Sequence, residues 1–147
     1  MTTQFICLAL VIVLLCPCVP AQWVQTTGPG GGNIGAIAVS GTNVFVGTGF
    51  PFFGVHNAGG VFRTTDDGAS WTAANSGLTD MCIGSLTVSP ASDGAGGVNL
   101  FAGTLCGGVL RSTDNGTSWT ATSLTSAFVT SFAVSGTNLF AGSPGPT

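Results

Sequence analysis

The chain has 147 residues, of which 5% are charged and 44% are hydrophobic, and its formal net charge is −3. Two basic residues cannot supply the positive footprint that a nucleic-acid-binding protein needs. The 24 glycines, with no glutamate or lysine, argue against a helical bundle, and the hydrophobic fraction argues against disorder. The composition therefore favours an all-β protein.

The N-terminal segment predicts export from the cytoplasm. Residues 5–15 are an unbroken apolar run, which is shorter than the ~20 residues of a membrane-spanning helix and fits the core of a signal peptide. Small residues at Val19 and Ala21 mark a cleavage site, so we predict a signal peptide at residues 1–21. The mature protein is then secreted, periplasmic or on the cell surface. Cys16 offers a lipoprotein alternative, and the sequence leaves that choice open.

The rest of the chain is a repeat with a spacing of 48 residues, as shown by the interval between Trp71 and Trp119. Similar alternating segments begin at Ile34, Ile83 and Val129 and predict short antiparallel strands. In the first repeat we predict strands at Ile34–Val39, Asn43–Thr48, Val61–Thr65 and Ser70–Ala73. Four antiparallel strands per ~40–50 residues is the period of a β-propeller blade.

The predicted architecture is an all-β propeller of four-stranded antiparallel blades, of which about two and a half are present. Blades are predicted at residues 34–74 and 83–122, with a truncated blade at 129–147 and a strand at 22–27 that completes a blade elsewhere in the ring. A closed ring needs ~4–8 blades, so we interpret the chain as the N-terminal part of a longer protein. A short protein that closes by self-association is the alternative.

Two turns at blade spacing repeat one pattern, Ser/Thr-x-Asp-x-Gly-x-x-Trp. Its members are Thr64, Asp66, Gly68 and Trp71 in the first blade, and Ser112, Asp114, Gly116 and Trp119 in the second. The pattern resembles the Asp-box, or bacterial neuraminidase repeat, of sialidase-like, sortilin-like and photosystem II assembly-type propellers. The resemblance implies a hairpin between the third and fourth strands, away from the ligand face. A carboxylate can close such a turn through backbone N–H groups, so we expect a structural role for both aspartates.

The loop between the second and third strands of the first blade is long and aromatic. It carries Phe50, Phe52, Phe53 and His56, and the resemblance implies that it lies on the ligand face. Aromatic side chains there suit sugar stacking or protein contact, although they could equally fold back onto the blade edges. On the same face, Asp80 is the one plausible half of a glycosidase carboxylate pair.

Cys82 and Cys106 each lie twelve residues from the midpoint of a long hairpin near residue 94. This spacing places them opposite one another and predicts a cross-strand disulfide, with two free thiols as the alternative. The single histidine has no Cys or carboxylate close in sequence, so we expect neither a metal site nor a cofactor.

The favoured function is a secreted, non-catalytic scaffold that binds a protein or carbohydrate, with no nucleic-acid partner and no membrane attachment after signal cleavage. For a sialidase, the resemblance implies a Tyr nucleophile with a Glu partner, and this sequence contains neither residue type. An enzyme is therefore disfavoured. The alternative is a fragment of a sialidase- or xyloglucanase-like glycoside hydrolase whose catalytic residues lie beyond residue 147.

Overall fold

The computed structural model describes residues 25–26, 28–30, 32–49, 59–91 and 97–144. These residues form three antiparallel sheets and contain no helix, and hence no helix long and apolar enough to cross a membrane. The strands are β1 (Ile34–Ser40), β2 (Asn43–Thr48), β3 (Gly60–Thr64), β4 (Thr72–Ala73), β5 (Ile83–Pro90), β6 (Val98–Thr104), β7 (Val109–Ser112), β8 (Thr120–Ala121), β9 (Ser131–Ser135) and β10 (Asn138–Gly142). The all-β prediction with four-stranded antiparallel sheets is confirmed.

The three sheets follow one another along the chain as three units. Unit 1 is the sheet β1-β2-β3-β4, unit 2 is β5-β6-β7-β8, and unit 3 is the hairpin β9-β10. The predicted strands of the first repeat agree with β1 to β4 to within two residues at each end. The predicted signal peptide, residues 1–21, lies outside the described residues. Of the predicted strand at 22–27, only Gln25 and Thr26 are described, and they are not in a strand.

The first hairpins of units 1 and 3 close through a two-residue turn, whereas that of unit 2 has a longer connection between Pro90 and Val98. Ser40 pairs with Asn43 in unit 1, and Ser135 pairs with Asn138 in unit 3. The first turn residue has a positive φ in both cases, 61° at Gly41 and 58° at Gly136, which glycine adopts without steric cost. Both turns have the sequence Ser-Gly-Thr-Asn.

The first strand of each four-stranded unit contains an irregularity of register. It falls between Ile34 and Ala36 in β1 and between Ile83 and Ser85 in β5. Such a bulge adds one residue to one strand and re-aims the side chain beside it. In both units the re-aimed residue is the isoleucine that opens the strand.

The units pack in series, and one contact recurs. The Ile83 side chain of unit 2 fills the space over Gly47 of unit 1, where an added Cβ would lie 2.8 Å from the Ile83 Cβ. Val129 fills the space over Gly103 of unit 2 in the same way, at 2.9 Å. Ile83 and Val129 are both fully buried, at 0% exposure. We call these two residues docking residues and the two glycines socket glycines.

The hydrophobic core lies between units 1 and 2. It joins side chains of both sheets: Ala38, Phe45, Val61, Ile83, Leu86, Leu100, Ala102, Leu110 and Trp119. Phe45 is fully buried beside Gly116, where an added Cβ would meet its ring at 2.9 Å. The Arg63 Nη1 atom also donates to the Asn115 carbonyl of unit 2 at 3.0 Å.

The contact between units 2 and 3 is smaller and more polar. The Val129 amide donates to the Thr104 carbonyl at 2.9 Å, and the Ser85 hydroxyl donates to the Val129 carbonyl at 3.2 Å. The amide and the carbonyl of the docking residue Val129 are thus both hydrogen-bonded to unit 2.

Candidate functional site

The two predicted Asp-box turns, which we call Asp turn 1 (Thr64–Trp71) and Asp turn 2 (Ser112–Trp119), have nearly identical hydrogen bonding. In Asp turn 1 the Asp66 carboxylate accepts the Thr64 hydroxyl at 2.7 Å, the Ser70 amide at 2.9 Å and the Ser70 hydroxyl at 2.6 Å. The Thr64 hydroxyl oxygen accepts the Gly68 amide at 2.9 Å. The side chains of the pattern thus satisfy the backbone of the turn that they form.

Asp turn 2 repeats the arrangement. The Asp114 carboxylate accepts the Ser112 hydroxyl at 2.7 Å, the Ser118 amide at 2.9 Å and the Ser118 hydroxyl at 2.6 Å. Asn115 has a φ of 55° and Gly116 a φ of 77°, so two successive residues occupy the left-handed region. Glycine at the second position removes the steric cost there, and asparagine is among the residues that tolerate the first.

These hydrogen bonds shift the acidity of both carboxyl groups in the same direction. Bonds from the Ser70 side chain, the Thr64 side chain and the Ser70 amide lower the pKa of Asp66 from 3.8 to about 2. Bonds from the Ser118 side chain, the Ser118 amide and the Ser112 side chain lower the pKa of Asp114 from 3.8 to about 2. A carboxyl group that is ionised at all ordinary pH values and committed to its own turn suits a structural role.

The tryptophans that close the two turns differ in their surroundings. Trp119 is 3% exposed, and its Nε1–H donates to the Ala74 carbonyl of unit 1 at 2.8 Å. Its amide donates to the Ser76 carbonyl at 2.9 Å. The Trp71 Nε1 atom is also buried, but it makes no hydrogen bond with the described part of the chain. Asp turn 2 is therefore docked on a preceding sheet, and the described residues provide no equivalent bond to Asp turn 1.

The opposite end of the sheets is the candidate ligand surface. Because neighbouring strands are antiparallel, strands β2, β4, β6 and β8 all finish at one end of the sheets, which we call the loop end. The loop end of unit 2 holds an open cavity of about 850 Å³. Met81, Leu105 and Phe128 give it an apolar wall, and Asp80 and Thr125 contribute polar groups.

Asp80 lines this cavity, and its carboxylate is occupied by hydrogen bonds. One oxygen accepts the Cys82 amide at 2.9 Å. The other accepts the Cys106 amide at 2.8 Å and the Gly107 amide at 3.1 Å. Asp80 therefore ties the β4–β5 connection to the β6–β7 loop, a role that the sequence analysis did not identify.

Cys82 and Cys106 lie close together but are not joined by a disulfide in the structure. The bulge in β5 pairs Ile83 with Thr104, so the residue opposite Cys82 is Leu105, whose amide donates to the Cys82 carbonyl at 3.1 Å. Burial raises the pKa of the Cys82 thiol, and the neighbouring Asp80 and Cys106 raise it further. The disulfide stays a prediction, and peptide mapping of the unreduced protein would check it.

The aromatic loop residues Phe50, Phe52, Phe53 and His56 lie outside the described residues. Within the part of the chain that the structure describes, no group of three or more His, Cys, Asp or Glu side chains could hold a metal ion.

The socket glycines are the positions that the sequence analysis missed. Gly47, Gly103 and Gly142 occupy the same place in the second strand of each unit, just as Ile34, Ile83 and Val129 open each unit. A glycine that recurs inside a strand signals a close approach by another group, and this recurrence was visible in the repeat alignment.

A scan against protein-family models, a search of curated proteins and a search of solved structures each found no match to this chain. The Asp-box resemblance rests on the residues of the two turns and on their spacing.

Proposed function

We propose that the chain is part of a secreted, non-catalytic β-propeller whose loop end binds a protein or carbohydrate ligand. Two four-stranded antiparallel sheets that follow one another and pack in series support the interpretation of the units as blades. The apolar segment at residues 5–15, followed by Val19 and Ala21, supports export.

The commitment of Asp80 is the observation that carries the non-catalytic part of the proposal. Among the residues that line the loop-end cavity, Asp80 is the carboxylate, and it already accepts three backbone N–H groups. A glycosidase needs two carboxyl groups free to face the scissile bond. Asp66 and Asp114 are likewise held within their own turns at the other end of the sheets. These three carboxylates are therefore better suited to holding the scaffold than to proton transfer.

The chemistry of the cavity favours a ligand with an apolar face. Phe128, at 38% exposure, stands at its edge beside the buried Leu105. An apolar wall with a few fixed polar groups is the usual composition of a small-ligand site, and an exposed aromatic ring suits the flat face of a sugar.

The test combines binding and hydrolysis on the same protein. The labelled chain is applied to an immobilised glycan array, and its hydrolysis of a fluorogenic sialoside and of xyloglucan is measured in parallel. We expect retention on glycans without hydrolysis, and weaker retention for Phe128→Ala. Leu124→Ala is the matched control, because Leu124 is 43% exposed in the same β8–β9 connection but does not line the cavity.

Two results would contradict the proposal. Hydrolysis that is lost in Asp80→Asn would favour the glycoside hydrolase alternative. If the wild type, Phe128→Ala and Leu124→Ala are all retained equally on glycans, the ligand does not bind at the loop end.

A further inference from the structure

The first unit exposes a surface that the second unit buries. Ile34, Ile37 and Val39 of β1 are 51%, 62% and 59% exposed and form what we call the leading face. The residues at the positions of Ile34 and Ile37 in unit 2 are Ile83 and Leu86, which are 0% and 9% exposed because they pack against unit 1. The leading face is therefore a docking surface with nothing from the described residues covering it.

The last described unit exposes the complementary surface. Phe140, at 58% exposure, and Gly142 share one side of the β9–β10 hairpin, which we call the trailing face. Gly142 is the third socket glycine. A Cβ added there would meet Ser131 within its own hairpin, as one on Gly103 would meet Ser85, but Gly47 and Gly103 each also meet the docking residue of the following unit.

We propose that the leading face of one copy of this chain receives the trailing face of a second copy, head to tail, with Ile34 docked over Gly142. The second copy is the partner of choice because the chain builds this contact twice internally, with Ile83 over Gly47 and Val129 over Gly103. The contact between copies continues that series. It does not depend on the ligand proposed above, and further units of a longer propeller would compete with the second copy for the same two faces.

The described part of the segment before unit 1 lies against Asp turn 1. An added Cβ on Gly68 would lie 2.6 Å from the Thr26 Cγ2 atom, whereas one on Gly116 would lie 2.9 Å from the Phe45 ring and 3.7 Å from the Ala74 Cβ. Thr26 therefore fills over Gly68 the space that Phe45 and Ala74 share over Gly116.

Because the two faces differ, the association is heterologous and extends through further copies unless it closes into a ring. The test is sedimentation velocity on the chain, expressed with its own N-terminal segment and purified, over a range of concentrations. We expect the weight-average mass to rise with concentration. Ile34→Asp and Phe140→Asp each place an unpaired charge in the contact and should weaken self-association by more than about tenfold.

Mixing the two variants gives the sharpest result. Ile34→Asp keeps an intact trailing face and Phe140→Asp keeps an intact leading face, so an equimolar mixture should form dimers and stop there. Leu124→Asp is the matched control, because Leu124 is exposed but lies on neither face. Circular dichroism establishes that each variant is folded. If Ile34→Asp is not folded, Ile37→Asp replaces it, and if Phe140→Asp is not folded, Gly142→Val replaces it.

The inference is overturned if the wild type stays monomeric at every concentration, in which case the faces belong to another partner. It is also overturned if the single variants associate as the wild type does, or if their mixture forms no dimer. Association through the N-terminal segment would let the single variants associate as the wild type does, since all variants retain that segment.

Discussion

The two internal interfaces use the same docking contact but differ in how completely the phenylalanine of the second strand is buried. Between units 1 and 2, the second sheet brings an Asp turn and its tryptophan onto the first, and Phe45 is 0% exposed. Between units 2 and 3, the described part of unit 3 is one hairpin, and Phe101, at the position of Phe45, is half-buried. At the trailing face Phe140 is 58% exposed.

This gradient shows that the docking residue and the Asp turn perform separate tasks. At both interfaces a buried isoleucine or valine of the later unit lies over a socket glycine of the earlier unit. The Asp turn then covers the outer part of the interface, including the phenylalanine of the second strand. Docking thus depends on the first two strands of a unit, and covering the interface depends on its third and fourth strands.

The largest expected effect follows from this gradient. Phe45→Ala should destabilise the protein by about 3–5 kcal/mol, because it empties a fully buried site. Phe101→Ala should cost less, and Phe140→Ala less than about 0.5 kcal/mol, since an exposed ring loses little on truncation. Chemical denaturation of the three variants measures the order. Equal losses of unfolding free energy at all three positions would show that the interfaces do not differ as described.

The tryptophans provide a matched pair. Trp119→Phe removes the donor to the Ala74 carbonyl and leaves a partly buried acceptor unpaired, so it should cost about 1–2 kcal/mol. Trp71→Phe removes an N–H that is buried without a partner among the described residues, and it should cost less or be neutral. Thermal unfolding of both variants compares them. A greater loss for Trp71→Phe would show that Asp turn 1 is docked on a partner of its own.

Acid should weaken both Asp turns alike, because their bonding is internal to each turn. The folded-state pKa of Asp66 and of Asp114 is about 2, below the ordinary 3.8, so their contribution is present above pH ~4 and is lost as the pH falls towards 2. Asp114→Asn should flatten the stability profile in that window, as should Asp66→Asn. A profile between pH 4 and 2 that is unchanged in both variants would contradict the assignment.

A small effect is expected at the arginines of the third strands. Arg63→Met should cost about 0.5–1 kcal/mol, since it removes a bond from the guanidinium to the Asn115 carbonyl across the first interface. Arg111→Met, at the same position in unit 2, should cost less because Arg111 is exposed. Urea midpoints of the two variants provide the measurement, and a larger shift for Arg111→Met would reverse the expected order.

The sequence predicts what is local. The repeat spacing and the alternation of apolar residues place the strands of unit 1 to within two residues, and the turn pattern places Thr64, Asp66 and Gly68 in one hydrogen-bonded turn. These features depend on neighbours close in sequence, so spacing is sufficient to find them.

What the sequence did not predict depends on register and on distant groups. Counting residues across the hairpin places Cys82 opposite Cys106, but the bulge in β5 adds one residue and brings Leu105 there instead. Asp80 is a plausible catalytic carboxylate by composition, and only the fold shows that the amides of Cys106 and Gly107, far along the chain, occupy it.

The central claim is that a docking residue over a socket glycine joins successive units, and a double-mutant cycle between Ile83 and Gly47 tests it most directly. Gly47→Ala should cost about 1–3 kcal/mol in the wild type, because the new methyl group meets the Ile83 side chain. In an Ile83→Ala background the contact with the Ile83 Cγ2 atom is absent and only the contact with the Cβ atom remains, so the same substitution should cost less. If Gly47→Ala is equally destabilising in both backgrounds, Ile83 does not dock over Gly47 and the account is wrong.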